Sequence, residues 1–110
     1  MAERRVTLLQ LATDRVGTVR GAKVLAFMIV WEMAREAVGS EWPEGIGAQV
    51  RVYSEWWRQD VRTGWRELAR FREAFPGEST PTRLMQAAKR ARWDERRGVR
   101  GLGAVELRAA

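Results

Sequence analysis

Hydrophobic positions along the chain fall into segments separated by glycine, proline and capping residues, and most of them repeat at helical spacing. Val6, Leu8, Leu9, Leu11 and Ala12 form a short first patch. Its spacing suits a helix or a strand, and a helix ending near Gly17 is favoured. Thr18 then reads as the N-cap of the longest regular segment, Val19 to Val38. Val24, Leu25, Phe27, Met28, Val30, Trp31 and Met33 spread over more than one face, which predicts a central helix packed on several sides. Gly39 suits the left-handed position that closes it.

Ser40 to Gly47 contains Pro43, Gly45 and Gly47 and reads as a loop. A helix over about Ala48 to Arg58 follows, with Val50, Tyr53 and Trp57 on one face. Asp60 caps the next helix, Val61 to Phe75, which Pro76-Gly77 stops. Thr80-Pro81 starts a last helix reaching Arg96, with Pro81 in its first turn. The pattern predicts an all-α fold, a compact bundle of four to five helices in one domain over residues 1–97, with 98–110 as a flexible Gly- and Ala-rich tail.

Composition narrows the chemistry. The 110 residues include no cysteine and no histidine, which removes disulfides, thiolate and imidazole metal ligands, the thiol nucleophile and the usual general base. Most acids stand beside an arginine or four residues from one, as solvated ion pairs do. No enzyme and no cofactor are expected. The apolar run Val24 to Trp31 is too short to span a bilayer, which takes about 20 residues. With no signal-peptide pattern, a cytoplasmic protein without membrane contact is expected.

The net charge is +6, from 20 basic and 14 acidic residues, and such a surface attracts phosphate polyanions. Because 18 of those 20 are arginine, genome composition alone explains much of the excess. Position is more informative. Val61, Trp65, Leu68, Phe71 or Arg72, and Phe75 recur at helical spacing, so a buried Trp65 would set which way the helix turns. Arg62, Arg66 and Arg70 then point outward together, about 6 Å apart along the axis. That stripe suits a phosphate backbone or a major groove, with Gln59 and Thr63 as hydrogen-bonding partners near the helix start. The competing reading is a solvated face whose arginines pair with Glu67 and Glu73.

The stretch Tyr53 to Pro76 resembles the helix-turn-helix of small regulatory proteins from high-GC Gram-positive bacteria and their phages. Ser54, Trp56, Trp57, Asp60, Thr63, Trp65 and Arg66 occupy the positions that carry the resemblance. It implies a helix-turn-helix over about residues 48–75, double-stranded DNA as partner, and a role in transcriptional regulation or mobile-element and phage control. Arg58 stands where many such motifs place glycine, and Gly64 weakens the start of the recognition helix by about 1 kcal/mol relative to alanine.

A second basic cluster holds Lys89, Arg90, Arg92, Arg96, Arg97 and Arg100. Lys89, Arg90 and Arg97 are candidates for flanking phosphate contacts, the alternative being a helix end whose cations complement its dipole. Of the six tryptophans, Trp31, Trp57 and Trp65 are assigned to the core. Trp42, Trp56 and Trp93 fall near element ends; the core is favoured for them too, and exposure would make them a patch for a protein partner. The alternative function is therefore a protein-interaction module on the same scaffold, binding a polymerase or nucleoprotein partner. No coiled-coil seam is evident, so a homodimer would form through packed helices, with Val19–Val38 and the N-terminal segment as its candidates.

Overall fold

A computed structural model describes residues 7–96, with side chains to residue 91. The described chain is all-helical: α1 (Leu8–Val16), α2 (Thr18–Val38), α3 (Ile46–Trp57), α4 (Val61–Ala74) and α5 (Thr82–Arg96), with a 3-10 turn at Gly39–Glu41. The proposed tail, Arg97 and the Trp93 side chain lie outside the described residues.

The first patch is a helix. Thr7 and Gln10 form a reciprocal capping box at its start, satisfying two backbone groups that the first turn leaves free. Thr18 is not the N-cap of α2. It is the first helical residue, and Gly17, at φ 90°, joins the two helices alone. Its amide donates to the Thr13 carbonyl (2.9 Å) and its carbonyl accepts from Gly21 (2.8 Å), so one residue closes α1 and opens α2. The resulting hairpin is tight because Gly21 lies on the α1 backbone; a Cβ there would come within 2.8 Å of the Thr13 nitrogen.

α2 packs against all four other helices, as its apolar content predicts. Val24, Phe27, Met28, Trp31 and Ala34 are buried, and Phe27 and Trp31 join Tyr53 of α3 and Phe71 of α4 in one aromatic cluster. Burying such side chains contributes roughly 2–3 kcal/mol each. The outer face of α2 is open, however, with Val19, Ile29 and Met33 exposed.

α3 starts two residues earlier than the sequence suggests, after Gly45, and ends with Arg58 in the left-handed region (φ 56°, ψ 53°). Asp60 caps α4 as expected, its Oδ1 accepting from the Arg62 amide at 2.7 Å. Pro81 stands just before α5 instead of in its first turn, and its carbonyl accepts from Met85 (3.0 Å). α5 is pinned to α2 by a polar chain. Trp31 Nε1 donates to Thr82 Oγ1 (3.3 Å), which donates to Glu32 (2.9 Å), and Arg35 grips both Glu32 oxygens at 3.0 Å. The buried carboxylate thus accepts three hydrogen bonds, from Thr82 and Arg35, to offset its desolvation.

Candidate functional site

The inward face of α4 is Gly64, Leu68, Phe71, Ala74 and the adjoining Phe75. Trp65 is not among them. It is 43% exposed, Trp57 is 50% exposed, and Val61 is also exposed, so these three do not belong to the core. The reason lies at the neighbouring position. Gly64 brings α4 so close to α3 that a Cβ would meet Ser54 Oγ and sit 3.1 Å from Val50 Cγ1. No indole fits such a contact, and Trp65, one residue on, is swung to the flank over Gly47. The helix is oriented by its smallest residue, with Leu68 and Phe71 behind it.

That orientation still presents Arg62, Arg66 and Arg70 outward, all exposed. Among the described residues none of the three is in an ion pair. Glu67, one of the two acids that could pair with the stripe, is turned inward, where its Oε1 accepts from Gln59 Nε2 (2.6 Å) and Tyr53 OH (3.1 Å). Burial and the Glu67 charge together hold the Tyr53 phenol well above its ordinary range. The Gln59 amide is thereby spent on an internal bond and is not the free donor that its position suggests.

Successive arginines four residues apart advance about 40° around the helix, so the stripe runs diagonally. Its last member, Arg70, reaches a cleft of about 350 Å³ between α2, α3 and α4. Lys23 and Val30 of α2, Trp57 of α3, and Thr63, Glu67 and Arg70 of α4 line it. Thr63 is half-buried and lines the cleft instead of standing on the outer stripe. Lys23 is exposed and adds a cation from another helix. Sequence reasoning missed it because its only signal is an isolated lysine within an apolar segment.

The second basic cluster is elsewhere. α5 packs on α2 alone among the described elements. Lys89 pairs with Glu36 of α2 at 3.5 Å, and Arg90 is exposed on the same helix. Neither is brought into the α4 stripe.

Two hydrophobic features accompany the stripe. Trp56 and Trp57 are stacked, with ring centroids 6.2 Å apart and planes 19° from parallel, and both are partly in solvent. Trp42, by contrast, packs edge-on against Trp31 (5.4 Å), so it closes the core. Among the described residues no carboxylate group is arranged to hold a metal ion, and no helix is long and apolar enough to cross a membrane. No protein-family model, curated protein or solved structure matches the chain.

Proposed function

We propose that the protein binds double-stranded DNA, with α3, its three-residue turn and α4 serving as a helix-turn-helix and α4 as the helix that meets the duplex. The observation that carries this reading is the free arginine stripe. Arg62, Arg66 and Arg70 are exposed and unpaired among the described residues: Glu67 is committed to Tyr53 and Gln59, and Glu73, though exposed on the same helix, pairs with none of them. Unpaired guanidiniums are ready to replace the counterions of a phosphate backbone and to donate bidentately to guanine. Lys23, across the cleft from Arg70, extends the same cationic surface. A role in transcriptional regulation or in the control of a mobile element follows from the resemblance of residues 53–76.

The refined contact set is Arg62, Arg66, Arg70 and Lys23. Thr63 serves at the cleft edge, Gln59 positions Glu67, and Lys89 and Arg90 are peripheral. Fluorescence anisotropy on a labelled random-sequence duplex tests the reading. Wild type binds at low salt, and Arg66→Ala weakens binding by about tenfold, the usual scale for one charge-assisted contact. Absence of wild-type binding at low salt contradicts it.

A second reading has its own observation. The exposed Trp56, Trp57 and Trp65 give the α3–α4 unit aromatic surface of the kind that anchors protein partners. In that case Trp57→Ala abolishes capture of a protein partner and leaves DNA affinity unchanged.

A further inference from the structure

Exposure along α2 reveals a seam that the sequence hides. Val19, Ala22, Ala26, Ile29 and Met33 are all exposed, and they are spaced three, four, three and four residues apart. This is the a/d spacing of a coiled coil. In the bare sequence it is masked, because the opposite face of α2, Val24, Phe27, Met28 and Trp31, is equally apolar and fills the core. Leu25 and Val30, both half-buried, widen the strip on either side. An apolar face of this length on the central helix is unusual for a surface that meets only water.

We propose that this face is the interface of a homodimer in which the two α2 helices pack antiparallel. Side-chain size favours that direction. With the dyad between Ala26 and Ile29, each alanine meets a large residue: Ala22 faces Met33 of the second copy, and Ala26 faces its Ile29. Parallel packing sets alanine against alanine and leaves gaps, which a close-packed interface does not tolerate. Charge points the same way. Glu36, which pairs with Lys89 of its own chain, takes the next seam position after Met33. A parallel pair would put the two Glu36 carboxylates opposite each other, whereas the antiparallel pair separates them to the two ends, each beside Val19 of the second copy.

The arrangement also has a consequence for α4. Lys23, Ala26 and Val30, along one edge of the seam, share the cleft with Thr63 and Arg70 of α4. The other edge belongs to α1 and α5, through Gly21 against Thr13 and Glu32 against Thr82. A dyad perpendicular to two antiparallel helices keeps like edges together, so both α4 helices come to the same side of the dimer. A parallel dyad sends them to opposite sides. One duplex can meet both arginine stripes only in the antiparallel form. This last step rests on the DNA reading; the dimer itself does not.

The seam from Val19 to Met33 is about 21 Å long, and its five exposed side chains, two of them alanine, offer less than the roughly 1,200 Å² of a standard stable interface. Association is therefore weak and concentration-dependent. Sedimentation equilibrium of the full chain without DNA, over a micromolar concentration series, is expected to show a monomer–dimer equilibrium. Ile29→Glu, at an exposed position that leaves the fold intact by circular dichroism, abolishes it. Direction is read by disulfides, since the chain has no cysteine of its own. An oxidised mixture of Ala22→Cys and Met33→Cys chains gives mainly the mixed disulfide. A monomer at every concentration, with the face covered by the chain's own ends or by another protein, overturns the proposal. So does a dimer that survives Ile29→Glu, or a Met33→Cys homodisulfide that dominates the mixture. Because DNA is absent throughout, a failure of DNA binding leaves these outcomes unchanged.

Discussion

Gly64 of α4 rests directly against Ser54 of α3, in a contact so close that the hydrogen of the glycine is the only side chain that fits. Ser54 Oγ is buried and has no hydrogen-bond partner among the described residues, so its hydroxyl contributes desolvation without return. Gly64→Ala is expected to destabilise the protein by about 1–3 kcal/mol, the cost of overpacking outweighing the gain of about 1 kcal/mol in helix propensity. Ser54→Ala alone is expected to be neutral or slightly stabilising. In the double variant much of the Gly64→Ala penalty disappears, because the atom it meets first is gone. Urea denaturation of the four proteins of this cycle measures the coupling. Simple additivity contradicts the contact.

That pair also explains what was legible in the sequence. Helix order and most boundaries follow from local rules: Asp60 caps α4, Gly17 and Gly39 end α1 and α2, and Pro76 follows α4. The direction of the arginine stripe was legible too, since any inward face containing Leu68 and Phe71 turns Arg62 and Arg66 out. The place of Trp65 was not. A volume argument sends the largest side chain inward, but the depth of the α3–α4 contact is fixed by Gly64 and Ser54 jointly, and no local pattern reports such a pair. Thr18 failed as a cap for a similar reason: the one-residue link depends on Gly21 accepting the α1 backbone. Lys23 and Arg70, on different helices, become neighbours only through packing.

Tyr53 is the only tyrosine of the chain, so its ionisation can be followed alone. Its phenol is held above the ordinary value near 10 first by burial and then by the charge and hydrogen bond of Glu67. Absorbance at the phenolate band is expected to show no ionisation of the native protein in the usual tyrosine range. A raised native value means that stability is complete below the unfolded pKa and falls as pH rises beyond it, because only the unfolded chain releases the proton there. Glu67→Gln keeps the burial, removes the charge, and moves the ionisation downward. A native phenol titrating at its ordinary value contradicts the Tyr53–Glu67–Gln59 arrangement.

Arg58 is the single non-glycine residue with positive φ among the described residues. Such a backbone costs an L-residue roughly 1 kcal/mol that glycine avoids. Arg58→Gly is expected to raise stability by about 0.5–1 kcal/mol in thermal or urea denaturation. An unchanged or lowered stability means that the arginine gains something in the turn to offset its strain.

The central claim is that the α4 stripe neutralises DNA phosphates, and the salt dependence of binding tests it most directly. The slope of log K against log salt counts the counterions released. Removing one phosphate contact lowers that slope by about 1. Arg66→Ala is expected to flatten the slope by that amount, while Lys89→Ala, at the α5 cation paired with Glu36, leaves it unchanged. Equal slopes for wild type and Arg66→Ala, with a flatter one for Lys89→Ala, contradict the account and move the site to α5.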